Sequence, residues 1–536
     1  MQTPSPIGSL ETTSKDHKWV ELQAYDTVDL SSPLPQLLGD HGGVGHAHYA
    51  SQSTDSSPGD GEDSRASLPT QELELGRHKL PADEHPLLVR GSLASDAVDV
   101  EGGQGGRQSE REYGAELATA DVGSAVFNLA TTIIGAGIMA LPAAMRVLGM
   151  PLGLFAIVLM GILSEISIEM LVHYLTLAKV WTFGDLVGES MGWAARVVAQ
   201  LCIVINNAGV LIVYLIIMGD VLSGSENHVG LFEGWAGGAG WWSDRKLIVL
   251  ITMIFVLAPL SSLRKIDSLK FTSAASVALA VLFVVLSCGI ALAKLAAGNL
   301  QIPRMLPSFA SKRAVLELLT VIPIMSNAFV CHFNVPPIYL ELHDRSPAKM
   351  FKVGRITAIL CVLVYSATAL SGYLLFGELT NSDVLANFDT DLGIPFSNVL
   401  NNTIRIGYVL HLMLVFPVIH FSLRQTIDAI LFPRAPPLPE SKYRFFIVTL
   451  ALLTLIFIGS TLIPNIWVAF EFTGATTGLS LGFIFPALVV IRSKLKRGKH
   501  VHESLPLAWA MVVMGVIISF VGIGTQVYNL VSSEGS

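Results

Sequence analysis

Two apolar segments constrain the fold of this 536-residue chain more than any other feature. The first is FNLATTIIGAGIMALPAAM, Phe127 to Met145. The second is VIPIMSNAFVCHFNVPPIYL, Val321 to Leu340. Each is apolar enough to cross a bilayer, and each is interrupted near its middle. Gly135, Gly137 and Pro142 break the first; Asn327, His332, Asn334, Pro336 and Pro337 break the second. Inside hydrocarbon every backbone polar group needs an internal partner. Irregular backbone therefore persists there only where protein or a water-filled cavity surrounds it. Two such segments, one in each half of a polytopic chain, point to a solute site between half-helices.

Composition places the rest of the chain around them. Hydrophobic residues make up 51% and charged residues 14%, with a mean hydropathy of +0.57. Soluble domains carry about 25% charged residues, so this is an integral protein of a lipid bilayer with a soluble appendage. Residues 1–118 are rich in Ser, Gly, Pro, Asp and Glu and lack apolar periodicity. They have too little to bury and read as a disordered cytosolic tail. Residues 119–532 form the membrane domain. No basic n-region precedes an apolar run at the N-terminus, so the first span acts as its own insertion signal. No basic stretch interleaved with aromatics suggests nucleic acid. The net charge of −8 is concentrated in the tail and in the loop from Glu378 to Asp391. The cysteines, Cys202, Cys288, Cys331 and Cys361, all fall inside predicted spans, and no disulfide framework is expected.

Apolar runs predict eleven spans, at 122–148, 152–178, 196–223, 246–262, 269–297, 314–342, 353–377, 398–421, 443–463, 466–491 and 506–531. A span needs roughly 20 apolar residues. With the N-terminus in the cytosol, 18 Lys and Arg flank the inner ends and 7 the outer ends. The positive-inside bias therefore sets the N-terminus in and, with an odd count, the C-terminus out, in a lumen. Trp235, Trp241 and Trp242 precede the fourth span and read as interfacial anchors. The breaks fall in spans one and six. That is the placement of an inverted repeat of five spans plus five, with one extra helix.

Polar residues inside these spans are the candidate site. Glycines at Gly135–Ala136–Gly137–Ile138 let the backbone unwind and expose N–H groups. The following half-helix presents a positive dipole end suited to a carboxylate. Asn128, Thr131 and Thr132 approach from the preceding half. Polar groups in an apolar stretch are costly unless they face a partner or cavity; the alternative for the glycines is close helix packing. In span six, Asn327, Ala328 and Phe329 form the break with Asn334, and either bind solute or bond neighbouring helices. Span three adds Asn206, Asn207 and Tyr214, with Tyr214 placed to cap the site. His332 and His411 are candidate proton carriers. Glu165, with Glu169 at i+4, is a third, because a carboxylate at the bilayer centre costs about 2.5–3.5 kcal/mol and favours protonation. Arg405 reads as snorkelling and Glu471 as interfacial. No nucleophile–base–acid set, Walker loop or metal-ligand spacing appears, so neither enzyme activity nor a cofactor or metal is expected. In the tail, DEHPLL fits an acidic-dileucine sorting pattern, with Asp83, Leu87 and Leu88 as the adaptor-read positions. The sequon at Asn401 abuts span eight and is expected to be poorly used.

Five stretches carry a resemblance. They are VFNLATTIIGAGIMALPAAMRVLG (126–149), GVLIVYLIIMGDVL (209–222), RKIDSLKFTSAASVALAV (264–281), DVLANFDTDLGIPFSNVL (383–400) and FTGATTGLSLGFIFPA (472–487). The chain resembles the amino acid/auxin permease family, in particular its plant vacuolar amino-acid transporter branch. That branch is similar to the sodium-coupled neutral amino-acid transporters. The resemblance spans about 120–530. It implies an all-α, LeuT-like fold of eleven helices, amino-acid transport by alternating access, and substrate backbone groups at Asn128 and Gly135–Ile138. Sodium-coupled members show a second Asn three residues after the first, where this chain has Thr131. They also use a hydroxyl of the eighth helix, and 404–421 contains no Ser or Thr. Both departures favour proton-linked or gradient-driven export from a vacuolar or lysosomal compartment over sodium coupling. An amino-acid sensor signalling through the long tail is the competing expectation.

Overall fold

The computed structural model describes residues 120–225, 228–263, 270–300, 303–433, 435–436, 438–497 and 505–534. Asp83, Leu87 and Leu88, with the rest of the expected tail, lie outside the described residues.

The first interrupted segment folds as α1 (Val122–Ile133) and α2 (Gly137–Leu148), bent by 62° across the break. Asp121 caps α1 by accepting the Ser124 N–H at 2.9 Å. Gly149 turns the chain into α3 (Met150–Ala178). It has φ +80°, and a Cβ there would lie 2.8 Å from Met305 O, so only glycine fits without strain. The short α4 (Phe183–Met191) leads into α5 (Trp193–Ser223). A hairpin of β1 (Gly224–Ser225) and β2 (His228–Val229) follows, and then α6 (Leu231–Ala236).

The fourth expected span departs from regular helix. It is α-helical at α7 (Arg245–Thr252), π-helical at Met253–Leu257 and α-helical again at α8 (Ala258–Ser261). Next come α9 (Lys270–Ala296) and the second interrupted segment, α10 (Lys312–Ala328) and α11 (Val335–Glu341). After α12 (Pro347–Phe376) the loop at 377–396 carries two short 3-10 turns. The chain closes with α13 (Ser397–Leu431), α14 (Lys442–Leu462), α15 (Ile466–Thr473), α16 (Phe485–Arg497) and α17 (Leu505–Glu534). Two π-helical turns, Gly474–Gly478 and Ser480–Ile484, join α15 to α16.

Among the described residues, nine helices are long and apolar enough to span a bilayer, and the bent pair α1–α2 makes a tenth. The segment at 245–261 falls short of the roughly 20 residues a span needs, so the all-helical polytopic class stands without the count of eleven. Several helices outrun their expected limits: α12 begins at Pro347 and α13 continues to Leu431. Hydropathy marks hydrocarbon thickness, whereas a helix keeps its backbone bonds into the interface.

The core is one cluster running through α2, α3, α5, α10, α12 and α13. The closest packing joins α9 to α13, α3 to α12 and α5 to α13. α14 and α17 lie at the periphery and expose Leu450, Leu455, Phe520 and Val531 to the surroundings.

Candidate functional site

The two breaks meet. At Gly137 a Cβ would lie 3.0 Å from both Cα and Cβ of Ala328, so glycine is what lets the α2 start touch the α10 end. Three buried tyrosines converge there from three other helices. Tyr365 of α12 has its hydroxyl 2.6 Å from Ile133 O and 2.8 Å from Ala328 O, bridging the breaks. Tyr408 of α13 donates to Gly135 O at 2.8 Å. The Tyr214 hydroxyl of α5 stands against the Ala136 N–H, and a Cβ at Gly135 would collide with it. Tyr365 and Tyr408 satisfy carbonyls that unwinding frees, and Tyr214 meets an amide, as buried backbone requires. At the α2 start, Ile138 N–H bonds Gly135 O at 3.3 Å and Met139 N–H bonds Ala136 O at 3.1 Å. The first amides of a helix have no partner within it; at the α2 start that leaves the Gly137 N–H, with those of Gly135 and Ala136 in the unwound segment before it and Ala136 facing Tyr214.

The expected site residues divide around this centre. Gly135, Ala136, Gly137, Ile138 and Ala328 lie in it. Phe329 joins it through its ring, 5.0 Å from that of Tyr365, while its carbonyl accepts from Ser164 at 3.3 Å. Asn327 turns away: its Nδ2 donates to Thr473 at 3.0 Å, toward the π-helical turn. Asn207 donates to Ser422 at 3.4 Å, and Asn206 accepts from Thr477 at 3.3 Å. Asn128 is exposed and bonds Glu341 at 3.4 Å, two turns from the break. Thr131 and Thr132 bond the carbonyls of Phe127 and Asn128, and Thr132 accepts from Asn334 at 3.5 Å.

The proton candidates also separate. His411 is fully buried, with Nδ1 2.7 Å from Ser276 O and its ring 4.9 Å from that of Tyr408. His332 is buried in the 3-10 turn after the second break, beside Phe483. Glu165 has a partner in Arg355 of α12. The guanidinium lies 2.9 Å from Glu165 and 3.0 Å from Glu169. Two further readings are corrected. Arg405 does not snorkel; it is buried and donates to Val221 O and Val229 O. Glu471 is not interfacial but 3% exposed, covered where α15 packs on α5 and α10. Asn401 is buried inside α13 and donates to Thr390 O at 2.7 Å, which leaves no room for a glycan.

The two sides of the centre differ. Toward the start of α1, Asn128, Thr131, Thr132, Asn334 and Glu341 form a polar, partly exposed path. Toward the end of α2, the loop at 377–396 covers the centre. Val384 N–H bonds Met139 O at 3.2 Å, and Val384, Leu385 and Phe388 are wholly buried. Tyr365, Tyr408 and this plug escaped the sequence reading. A tyrosine within an apolar run carries a hydroxyl that must find a partner, which was the available signal.

A polytopic helical bundle organised around two touching helix breaks is the arrangement of a membrane transport protein. The chain belongs to the transmembrane amino acid transporter protein family, the amino acid/auxin permeases, whose family model matches residues 118–527. Amino acid transporter AVT6E of Arabidopsis thaliana is 53% identical over 467 residues, covering 85% of this chain and 94% of its own length. Amino acid transporter AVT6A of the same plant is 47% identical over 419 residues, covering 77% and 90%. Among solved structures, a Na+-coupled sialic acid symporter in a substrate-bound outward-open state aligns at TM-score 0.46 and 10% identity. It covers 76% of this chain and 92% of its own. The Eremococcus coleocola manganese transporter aligns at 0.47 and 14%, covering 81% and 91%.

Proposed function

We propose that this chain carries L-amino acids across a vacuolar or lysosomal-type membrane toward the cytosol by alternating access. The meeting of the two breaks at Gly137, Ala328 and Tyr365 carries this reading. It brings the amides at the start of α2 and freed carbonyls of α1 and α10 to one point. A zwitterion needs that pairing: donors for its carboxylate, acceptors for its ammonium. The carboxylate meets Gly135, Ala136 and Gly137. The ammonium meets carbonyls at Ile133 and Ala328, for which the single phenolic proton of Tyr365 serves one at a time.

Positive-inside orientation makes the α1 side cytosolic, so the polar path opens to the cytosol and the plug shuts the lumenal side. In the five-plus-five arrangement, α1–α2, α3, α10–α11 and α12 rock against α5, α7–α8, α13 and α14. Proton linkage runs through His411. Its Nδ1 donates to Ser276 O, leaving Nε2 as the base beside Tyr408, which holds Gly135. Glu165, tied to Arg355, is less suited. The acidic-dileucine pattern supports vacuolar delivery. The sensor reading rests on the tail, and no observation among the described residues favours it.

Saturable binding of a labelled amino-acid mixture to the purified protein tests the site. Gly137→Val drives a branched side chain into Ala328 and should abolish binding while helical content and monodispersity hold. Binding at wild-type strength in that variant would remove the substrate from the breaks.

A further inference from the structure

The plug at 377–396 is anchored by charges that the transport reading leaves unused. Three carboxylates, Asp220, Asp383 and Asp389, meet two guanidiniums, Arg245 and Arg405, and one imidazole, His228. Asp220 pairs with Arg245 at 2.8 Å. Asp389 takes the Val229 N–H at 2.9 Å and lies 3.1 Å from His228 Nδ1. His228 Nε2 is 3.1 Å from Asn381 Nδ2, and Asn381 Oδ1 is already engaged by the Ser382 N–H and hydroxyl. The amide therefore donates to Nε2, and the network assigns a neutral imidazole that donates Nδ1–H to Asp389. Among the described residues the cluster then holds three negative charges against two positive ones.

Asp383 makes no ion pair among the described residues, and Arg405 acts on it from a distance. One of its oxygens accepts the Leu385 N–H at 2.9 Å; the other is buried and has no partner. The residue is 4% exposed. A carboxylate oxygen stripped of water without a donor is costly as an anion. Burial first, and the charge of Asp220 second, push Asp383 up to about 8, against the opposing pull of the Leu385 N–H and Arg405. Its neighbour Val384 makes the bond to Met139 that ties the plug to α2. The remaining charged groups sit at the plug's two ends. Glu378 pairs with Arg304 and accepts from Tyr373, while Arg146 bonds the carbonyls of Glu378 and Thr380. Asp391 is exposed near Lys294. From α9 and α12 the plug meets the rings of Phe283 and Phe376.

We propose that Asp383 is a proton-binding site of this gate: the plug closes over the neutral carboxylic acid and opens with release of its proton to the side it faces. No bond other than O–H is made or broken, and the proton passes to water. The role as a gate rests on the transport reading, but the proton site does not. The sign follows from linkage. Closed, the group binds its proton up to about pH 8; opened to water it returns toward its ordinary 3.8. Protonation therefore favours closure fully below the ordinary value, and that stabilisation is lost as pH rises to the closed-state value. Between the two, each pH unit makes opening about tenfold easier. Proton binding from the lumen therefore biases the plug toward closure, the step that follows loading in the transport reading.

Amide exchange of residues 380–392 in the full-length protein, at pH 6 and pH 9, tests this. Rates are corrected for intrinsic exchange with an unstructured peptide. Plug protection in wild type should fall by about tenfold or more, while that of α3 holds. Asp383→Asn should show no such fall, and Asp383→Glu should restore it. Unchanged corrected protection in wild type overturns the proposal, whether or not the Asn variant folds. An equal fall in Asp383→Asn overturns it as well. Absent amino-acid flux with the exchange result intact refutes the transport reading alone.

Discussion

Tyr365 joins the two breaks by one hydroxyl, fully buried between Ile133 O and Ala328 O. Tyr365→Phe keeps the ring contact with Phe329 and removes that bridge. It should cost about 1–3 kcal/mol, the penalty for leaving a buried polar group unsatisfied, and weaken substrate binding; a thermal melt with a binding isotherm reads both. His411→Gln should retain exchange of substrate but lose its dependence on a proton gradient, as assayed in liposomes. Persistence of that dependence would move the proton elsewhere. At this scale the sequence was partly legible. The glycines and Ala328 were visible because breakers inside apolar runs are conspicuous. Asn128 and Asn327 were equally conspicuous, yet they serve Glu341 and Thr473. A polar residue in a span announces that it has a partner, not which one. Arg355 shows the same limit: its pairing with Glu165 and Glu169 joins two helices far apart in sequence.

Helices were legible where hydrophobicity alone decides them and illegible where packing bends them. Both interrupted spans could be read, because Gly and Pro act locally on the backbone. The π-helical turns at 253–257, 474–478 and 480–484 could not, because each absorbs an extra residue to fit a neighbour. Gly474 marks one reason: a Cβ there would run into the Pro323 carbonyl of α10. Gly474→Ala should therefore push α15 off α10 and destabilise the fold by about 1–3 kcal/mol, as overpacking does. An unshifted melting temperature would mean that the contact yields. The plug was hidden for another reason. The sequence marked it only as a loop that concentrates acid, whereas Asp383 and Asn387 are buried against the bundle.

The described bundle is asymmetric about its centre, polar and partly exposed on the α1 side, apolar and covered at the α2 end. That asymmetry was not in the hydropathy pattern, since it depends on a loop folding back on a half-helix far away in sequence. Orientation, in contrast, came from counting Lys and Arg. Under the proposed orientation, the polar side faces the cytosol and the covered side the lumen. Efflux of labelled amino acids from proteoliposomes, with internal pH and sodium varied independently, tests this account most directly. Flux that follows the proton gradient and ignores sodium is the predicted result. Saturable binding without flux, or flux that requires sodium, would contradict it.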